Sequence, residues 1–119
     1  MNVQEFYDRI VEEVAQPMID FMQECGDDAA FSAFDVESCK MILRDYLDAL
    51  SALAEPTDEA IMAQVRKTVL ALNELNEETE YALIETSERE AICILIQDAA
   101  VECGLQAENE DVTEEWREW

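Results

Sequence analysis

A chain of 119 residues is long enough for one compact domain with a real hydrophobic core, and a hydrophobic share of 50% excludes disorder. Only 2 Gly and 2 Pro occur, while helix formers such as Ala, Leu, Glu and Met dominate, so the composition predicts an all-α protein. The formal net charge of −23 repels phosphate and anionic lipid and attracts basic protein surfaces, which argues against nucleic-acid and membrane binding.

The amino-terminal segment predicts one long amphipathic helix, because its apolar residues recur at steps of three and four. These residues are Val3, Phe6, Ile10, Val14, Met18, Phe21 and Cys25. Pro17 lies inside this helix and removes a backbone hydrogen bond, so we expect a kink there, at about 3 kcal/mol unless packing compensates. Gly26 supplies the left-handed residue that ends the helix.

Two further helices follow at clear signals. Ser32 and Asp35 form a capping pair, and an apolar stripe then runs from Val36 to Leu53 until Pro56 forces the chain to extend. Thr57 or Asp58 caps a third helix. Its buried face contains Ile61, Met62, Val65, Val69, Leu72 and Leu75, with Asn73 and Asn76 at its edge. We interpret the two asparagines as hydrogen-bond partners for loop backbone, and the alternative is an amide contact to a partner.

The helical period breaks between Glu77 and Glu85, but Tyr81, Leu83 and Ile84 are apolar, so we expect a packed connection that keeps side chains in the core. Ser87 followed by Glu90 predicts a capping box for a fourth helix. That helix carries Ile92, Leu95, Ile96, Ala99 and Cys103 and is ended by Gly104.

The acidic tail, residues 105–119, contains Trp116 and Trp119 one helical turn apart. We expect a short fifth helix that lays both rings on the body of the protein, and the alternative is that they are anchors for a partner. The complete pattern predicts a single helical domain over residues 1–119, built as an antiparallel four-helix bundle.

The absence of histidine excludes Ser-His triads, Cys-His nucleophiles and His-ligated zinc, and the four cysteines show no C-x-x-C spacing. An alternative is a Mg²⁺-dependent nucleotide hydrolase that would hold its ion through Glu74, Glu77 and Glu80. The second carboxylate pair that such a site needs does not occur in the next helix, since Leu95 stands three residues before Asp98. We therefore expect no catalytic residue, cofactor or metal.

The amino terminus has no basic region followed by an apolar run, and nowhere do eighteen apolar residues occur together. We therefore expect a soluble, cytoplasmic protein. A third class remains open beside a binding module and a metal enzyme, namely a helical homo-oligomer with a structural or regulatory role.

In size, charge, helix content and the acidic stretch NEETEYALIE, the sequence resembles in type the small acidic helical immunity proteins that bacteria make against their own toxins. The resemblance implies a non-catalytic inhibitor of a basic partner such as a toxin nuclease. The colicin immunity proteins carry a tyrosine-pair-proline motif, whereas Ala82 follows Tyr81 here, so no site residue is transferred from them.

The residues themselves support the same class of function, because an inhibitor needs only a rigid face, an electrostatic field and a few anchors. We expect the acidic face to bind a basic protein, with Tyr81 as a partly buried anchor. The predicted partner-binding residues are Glu74, Glu77, Glu78, Glu80, Tyr81, Glu85 and Glu88.

Overall fold

The computed structural model describes residues 1–106 and 111–119, and all the regular secondary structure in those ranges is helical. The elements are α1 (Val3–Arg9), a π-helical segment (Ile10–Ala15), α2 (Gln16–Cys25), a 3₁₀ turn (Gly26–Asp28), α3 (Ala33–Ser51), α4 (Asp58–Glu78) and α5 (Thr86–Glu102). The first three follow one another without a break, so residues 1–106 and 111–119 contain four helical spans. The predicted all-α class and the four predicted helices are confirmed.

The first span changes helix type just before Pro17. The Gln16 N–H donates to the Val11 carbonyl, five residues back, which is the hydrogen bond of a π-helix. In a regular α-helix the ring of Pro17 would collide with the carbonyl four residues earlier. The wider π turn gives the Pro17 ring room beside that carbonyl. The kink of the helix axis at Pro17 stays a prediction.

Most helix ends follow the predicted signals. The Ser32 N–H donates to the Asp35 carboxylate at 2.8 Å, and Thr57 Oγ1 accepts from the Ala60 N–H at 3.1 Å. Gly26 ends α2 at φ 59°. The predicted Ser87–Glu90 capping box is wrong, because α5 begins at Thr86 and Glu85 occupies its N-cap position. The Ile84 N–H donates to the Asn76 amide oxygen, and this bond fixes how the chain enters the helix.

Contacts between helices give their relative directions. Tyr7 hydrogen-bonds to Asp48 and the Phe21 ring stacks on Phe31, so the first span runs antiparallel to α3. The Tyr46 hydroxyl donates to the Ile96 carbonyl at 2.7 Å, and the Cys103 thiol approaches the Leu50 carbonyl at 3.7 Å, so α3 and α5 run in the same direction.

One end of the molecule therefore gathers the end of α2, the start of α3, the end of α4 and the start of α5. We call it the acidic pole, defined by the connections 26–32 and 79–85 and the helix turns beside them. The core lies between the helices, and its largest fully buried side chains come from every span. They are Tyr46, Ile10, Met18, Leu43, Leu47, Leu50, Ile61, Leu72, Leu83, Ile92, Leu95 and Ile96.

The carboxyl-terminal segment packs on the body, with Trp116 and Trp119 against the core, as predicted. Its form differs from the prediction, since residues 112–116 are turns rather than a helix, and residues 107–110 lie outside the described ranges. Asn73 explains the difference, because its amide donates to the Trp116 carbonyl at 2.7 Å and accepts from the Glu118 N–H at 3.0 Å. The Thr113 carbonyl accepts from the Trp116 and Arg117 N–H groups, so turn bonds and the Asn73 amide together satisfy this backbone without a helix.

Among the described residues, no helix combines the length and the apolar character needed to cross a lipid bilayer.

Candidate partner-binding face

Three of the predicted residues lie on the outward side of α4. Glu74, Glu77 and Glu78 are exposed and are spaced three and four residues apart, which places them on one helix face. Leu72 and Leu75 on the same helix are buried, so this face points away from the core. Leu70, four residues before Glu74, is 43% exposed on the same face. Leu70 is not among the predicted partner-binding residues, although its position outside the buried stripe of α4 sets it apart from the core leucines.

The connection after α4 is held in a Schellman motif. The Tyr81 N–H donates to the Asn76 carbonyl at 2.7 Å, and the Glu80 N–H donates to the Glu77 carbonyl at 3.0 Å. The motif needs a left-handed residue just after the helix, which is usually glycine. Here Glu80 has a φ of 56° and Tyr81 has a φ of 64°. Left-handed backbone costs about 1–2 kcal/mol for each residue that carries a Cβ, so this connection is strained.

Two buried polar side chains, Asn76 and Thr79, hold the connection in place through hydrogen bonds. The Asn76 amide oxygen accepts from the Ile84 N–H at 2.9 Å, which confirms the predicted role of this asparagine. The Thr79 hydroxyl donates to the Asn76 carbonyl at 2.9 Å and accepts from the Leu83 N–H at 3.2 Å. Asn76, Thr79, Leu83 and Ile84 are all buried. The connection is therefore packed as predicted, with its backbone groups satisfied inside the fold.

Tyr81 differs from the prediction in its exposure. Its side chain is 60% exposed, so it is presented to solvent on a fixed backbone and does not belong to the core with Leu83 and Ile84. The exposure of Tyr81 follows from the left-handed backbone at Glu80 and Tyr81, which reverses the chain before it reaches the buried Leu83 and Ile84. An exposed tyrosine in a rigid setting offers a large contact area and one hydroxyl for hydrogen bonding.

Glu85 and Glu88 lie at the start of α5, beyond the connection. Glu85 is exposed at the cap position and makes no side-chain capping bond, and Glu88 is half-buried in the first helical turn. Carboxylates in such positions interact favourably with the positive end of the helix dipole. Glu85 and Glu88 thus have a local electrostatic role. The described contacts reveal no such role for the carboxylates of Glu74, Glu77, Glu78 and Glu80.

The carboxylates of this face are not neutralised by ion pairs within the described ranges. The ion pairs found there join Arg9 to Glu13 and Asp98, Lys40 to Glu37, and Arg117 to Asp111. None of them involves Glu74, Glu77, Glu78 or Glu80. The negative charge of the face is therefore available to a basic surface.

The geometry gives the metal alternative no support. Across 1–106 and 111–119, no group of three Asp, Glu or Cys side chains is arranged to hold a metal ion, and this includes Glu74, Glu77 and Glu80. Burial raises the pKa of Cys39 to about 12 and also raises the pKa of Cys93, so these two thiols are poor nucleophiles.

Three comparisons were made with known proteins. No protein-family model, no curated protein and no solved structure matches this chain.

Proposed function

We propose that the protein is a non-catalytic binding module that neutralises a basic protein partner, and that a toxin nuclease is the class of partner that fits best. Its binding face consists of the outward side of α4 and the connection that follows, with Glu74, Glu77, Glu78 and Glu80 around Tyr81. Glu85 and Glu88 extend the negative field towards α5. The proposal follows the type resemblance to immunity proteins and rests on the observations below.

The observation that carries the proposal is the choice of residues at the end of α4. The chain ends α2 with Gly26 and follows α5 with Gly104, both at positive φ, but it places Glu80 and Tyr81 at positive φ after α4. Glycine there would remove the strain. Strained backbone of this kind concentrates at functional sites, where the side chain matters more than the local stability.

Preorganisation supports the same function. Asn76 and Thr79 hold the connection in one conformation, so a partner would meet Tyr81 and its carboxylates already in place. A binding face that is ordered beforehand loses less conformational entropy when it binds. The net charge of −23 adds a long-range field that speeds encounter with basic surfaces. Carboxylates on such a face can occupy the phosphate-binding site of a nuclease directly.

The same charge weakens the homo-oligomer alternative, since two copies repel each other. For the architecture, we propose the antiparallel four-helix bundle with a bend at Pro17. The antiparallel first span and α3, the parallel α3 and α5 and the short connections support this arrangement.

The proposal is tested with purified ribonuclease and deoxyribonuclease domains of isoelectric point above about 9, the range expected for basic nucleic-acid enzymes. Association is followed by stopped flow between 50 and 300 mM NaCl, and nuclease activity is measured in parallel. We expect at least one domain to be bound and inhibited, with an association rate that falls as salt rises. Failure of every basic domain to bind at 50 mM NaCl would overturn the proposal.

A matched pair of variants locates the face. Replacement of Glu77, Glu78 and Glu80 by glutamine should slow association about tenfold or more and flatten its salt dependence, because steering depends on these charges. The control replaces Glu12, Glu55 and Glu102, which are exposed carboxylates outside the face. Both variants lose three negative charges. Equal association rates for the two would show that only the net charge matters and that the face is wrong.

A further inference from the structure

The acidic pole also exposes phenylalanine side chains that the binding face described above does not use. Phe34, in the first turn of α3, is 77% exposed, the highest value among the large hydrophobic side chains that the structure describes. Phe21, near the end of α2, is 43% exposed and stacks on the buried Phe31, with ring centroids 6.1 Å apart. A phenylalanine has no polar atom that benefits from water, so this exposure leaves favourable burial unused.

Helix lengths place Phe34 at the same end as Tyr81. Helix α3 has 19 residues and α4 has 21, and they are antiparallel neighbours joined by residues 52–57. At 1.5 Å per residue they are about 28 and 31 Å long, so the first turn of α3 lies level with the last turn of α4. Phe34 therefore lies at the level of Glu77 and Glu78 and of the connection that carries Tyr81. The aromatic residues and the acidic face belong to one pole.

The chain segment that carries the phenylalanines has charges of one sign. No Lys or Arg occurs between residue 10 and residue 39. The exposed carboxylates of the helix turns and connection beside Phe21 and Phe34 are Asp20, Glu24, Asp27, Asp28 and Glu37. Only Glu37 among them forms an ion pair, with Lys40, in the described part of the chain. The pole thus combines exposed aromatic rings with a rim of carboxylates, most of them without an ion pair in the described ranges, and Arg89 in the first turn of α5 adds one basic side chain.

This combination is complementary to a segment that is apolar on one side and basic on the other. A second copy of the chain would bring the same negative charge, and an anionic lipid surface would also be repelled. An amphipathic helix rich in Lys and Arg would satisfy both features, since its apolar side covers the rings while its basic side meets the carboxylates.

We infer that the acidic pole docks a basic amphipathic helix of the partner, with Phe34 and Phe21 as the apolar contact. This inference rests on the proposed function for the existence of a basic partner, and it adds the form of the partner segment and a second group of contact residues. Phe34 contributes its whole ring, while Phe21 is already supported by Phe31 and provides a fixed platform. Aromatic residues in this role usually carry a large share of the binding energy.

The test uses the full chain and a synthetic fluorescein-labelled peptide of about 20 residues, made of Leu and Lys in a helical pattern with leucines at steps of three and four. The control peptide has the same composition in scrambled order. Fluorescence anisotropy at 150 mM NaCl should show that the patterned peptide binds at least tenfold more tightly. Equal affinity for the two peptides would mean that charge alone attracts them and would overturn the inference.

Protein variants decide where the peptide lies. Phe34→Ala should weaken binding of the patterned peptide at least tenfold, whereas Val101→Ala, which truncates an exposed apolar residue near the end of α5 and away from the acidic pole, should change it less than twofold. Phe34 is so exposed that its truncation leaves the core intact, which circular dichroism verifies. An unchanged affinity for Phe34→Ala, or a dimer of the unliganded protein in sedimentation equilibrium that this variant abolishes, would overturn the inference.

The two proposals fail separately. If a basic nuclease is inhibited and Phe34→Ala does not affect that inhibition, the proposed function stands and the aromatic docking site is wrong. If the patterned peptide binds through Phe34 and no nuclease is inhibited, the docking site stands and the proposed function is wrong.

Discussion

Asn73 joins the carboxyl-terminal segment to the helical body, and its replacement by alanine should release that segment. The amide makes two hydrogen bonds, one to the Trp116 carbonyl at 2.7 Å and one from the Glu118 N–H at 3.0 Å. Each contributes about 0.5–1.5 kcal/mol net. The loss of both should lower the free energy of detaching the segment by about 2 kcal/mol, which is about a thirtyfold higher detached population.

Tryptophan fluorescence measures this detachment selectively, because the only two tryptophans of the chain, Trp116 and Trp119, lie in the segment. In Asn73→Ala we expect a red-shifted emission and faster quenching by acrylamide, as the rings leave the core for water. In urea, the transition followed by fluorescence should move to a lower concentration, equivalent to a loss of about 2 kcal/mol, and the transition followed by helical circular dichroism should move less.

Asn76→Ala is the matched control, since it removes the same amide from the same helix three residues further along. Asn76 holds the Ile84 N–H in the α4–α5 connection and makes no bond to residues 105–106 or 111–119 of the carboxyl-terminal segment. Its replacement should destabilise the whole fold by about 1–3 kcal/mol through an unsatisfied buried donor, with coincident fluorescence and dichroism transitions. If Asn73→Ala leaves the emission and quenching unchanged, the amide clamp does not hold the segment.

Three further outcomes follow from the strain, the buried thiol and the charge. Glu80→Gly should raise the free energy of unfolding in urea by about 0.5–1 kcal/mol, after the entropy cost of glycine is subtracted, whereas Glu80→Ala, which keeps the Cβ, should leave it unchanged. A gain in stability for both variants would show that the backbone at position 80 is not strained. Because folding raises the pKa of Cys39 to about 12, the stabilising contribution of this thiol is complete below about pH 9 and is lost as the pH rises towards 12, so urea titrations at alkaline pH should show a falling free energy of unfolding. Peptide mapping should find Cys39 unmodified by iodoacetamide at pH 8.5 until the protein unfolds. The melting temperature should rise between 10 and 300 mM NaCl because salt screens the self-repulsion of a chain of charge −23, and MgCl₂ at equal ionic strength should do no more unless a specific ion site exists.

The sequence predicts much of the helical framework because its signals are local. The three-four spacing of apolar residues, the caps at Ser32 and Thr57 and the glycines at 26 and 104 all depend on residues within a few positions of each other. The start of α5 was mispredicted because a longer-range bond decided it: the Asn76 amide reaches Ile84, eight residues away, and so fixes how the chain enters the helix.

The carboxyl-terminal segment and the candidate site show the same limit. Turns near Trp116 replace the predicted helix, and Asn73, 43 residues earlier, binds the Trp116 carbonyl and the Glu118 N–H, which local sequence signals do not reveal. Acidic residues of the site are evident from the sequence, but the left-handed backbone of Glu80 and Tyr81 is not, because neither residue type favours it. The exposure of Phe34 was likewise hidden, since an isolated phenylalanine beside a buried stripe is compatible with either face.

Stability and the proposed binding make opposite demands at the end of α4, and this conflict is the strongest physical argument for the proposed face. Glycine at position 80 would satisfy the Schellman motif without strain, yet it would remove a carboxylate beside Tyr81 and loosen the connection. The buried support from Asn76 and Thr79 compensates for the strain and keeps both side chains exposed in one conformation. A solvated surface without a partner would gain stability from the glycine and lose nothing, so Glu80→Gly should give a more stable protein that binds its partner more slowly.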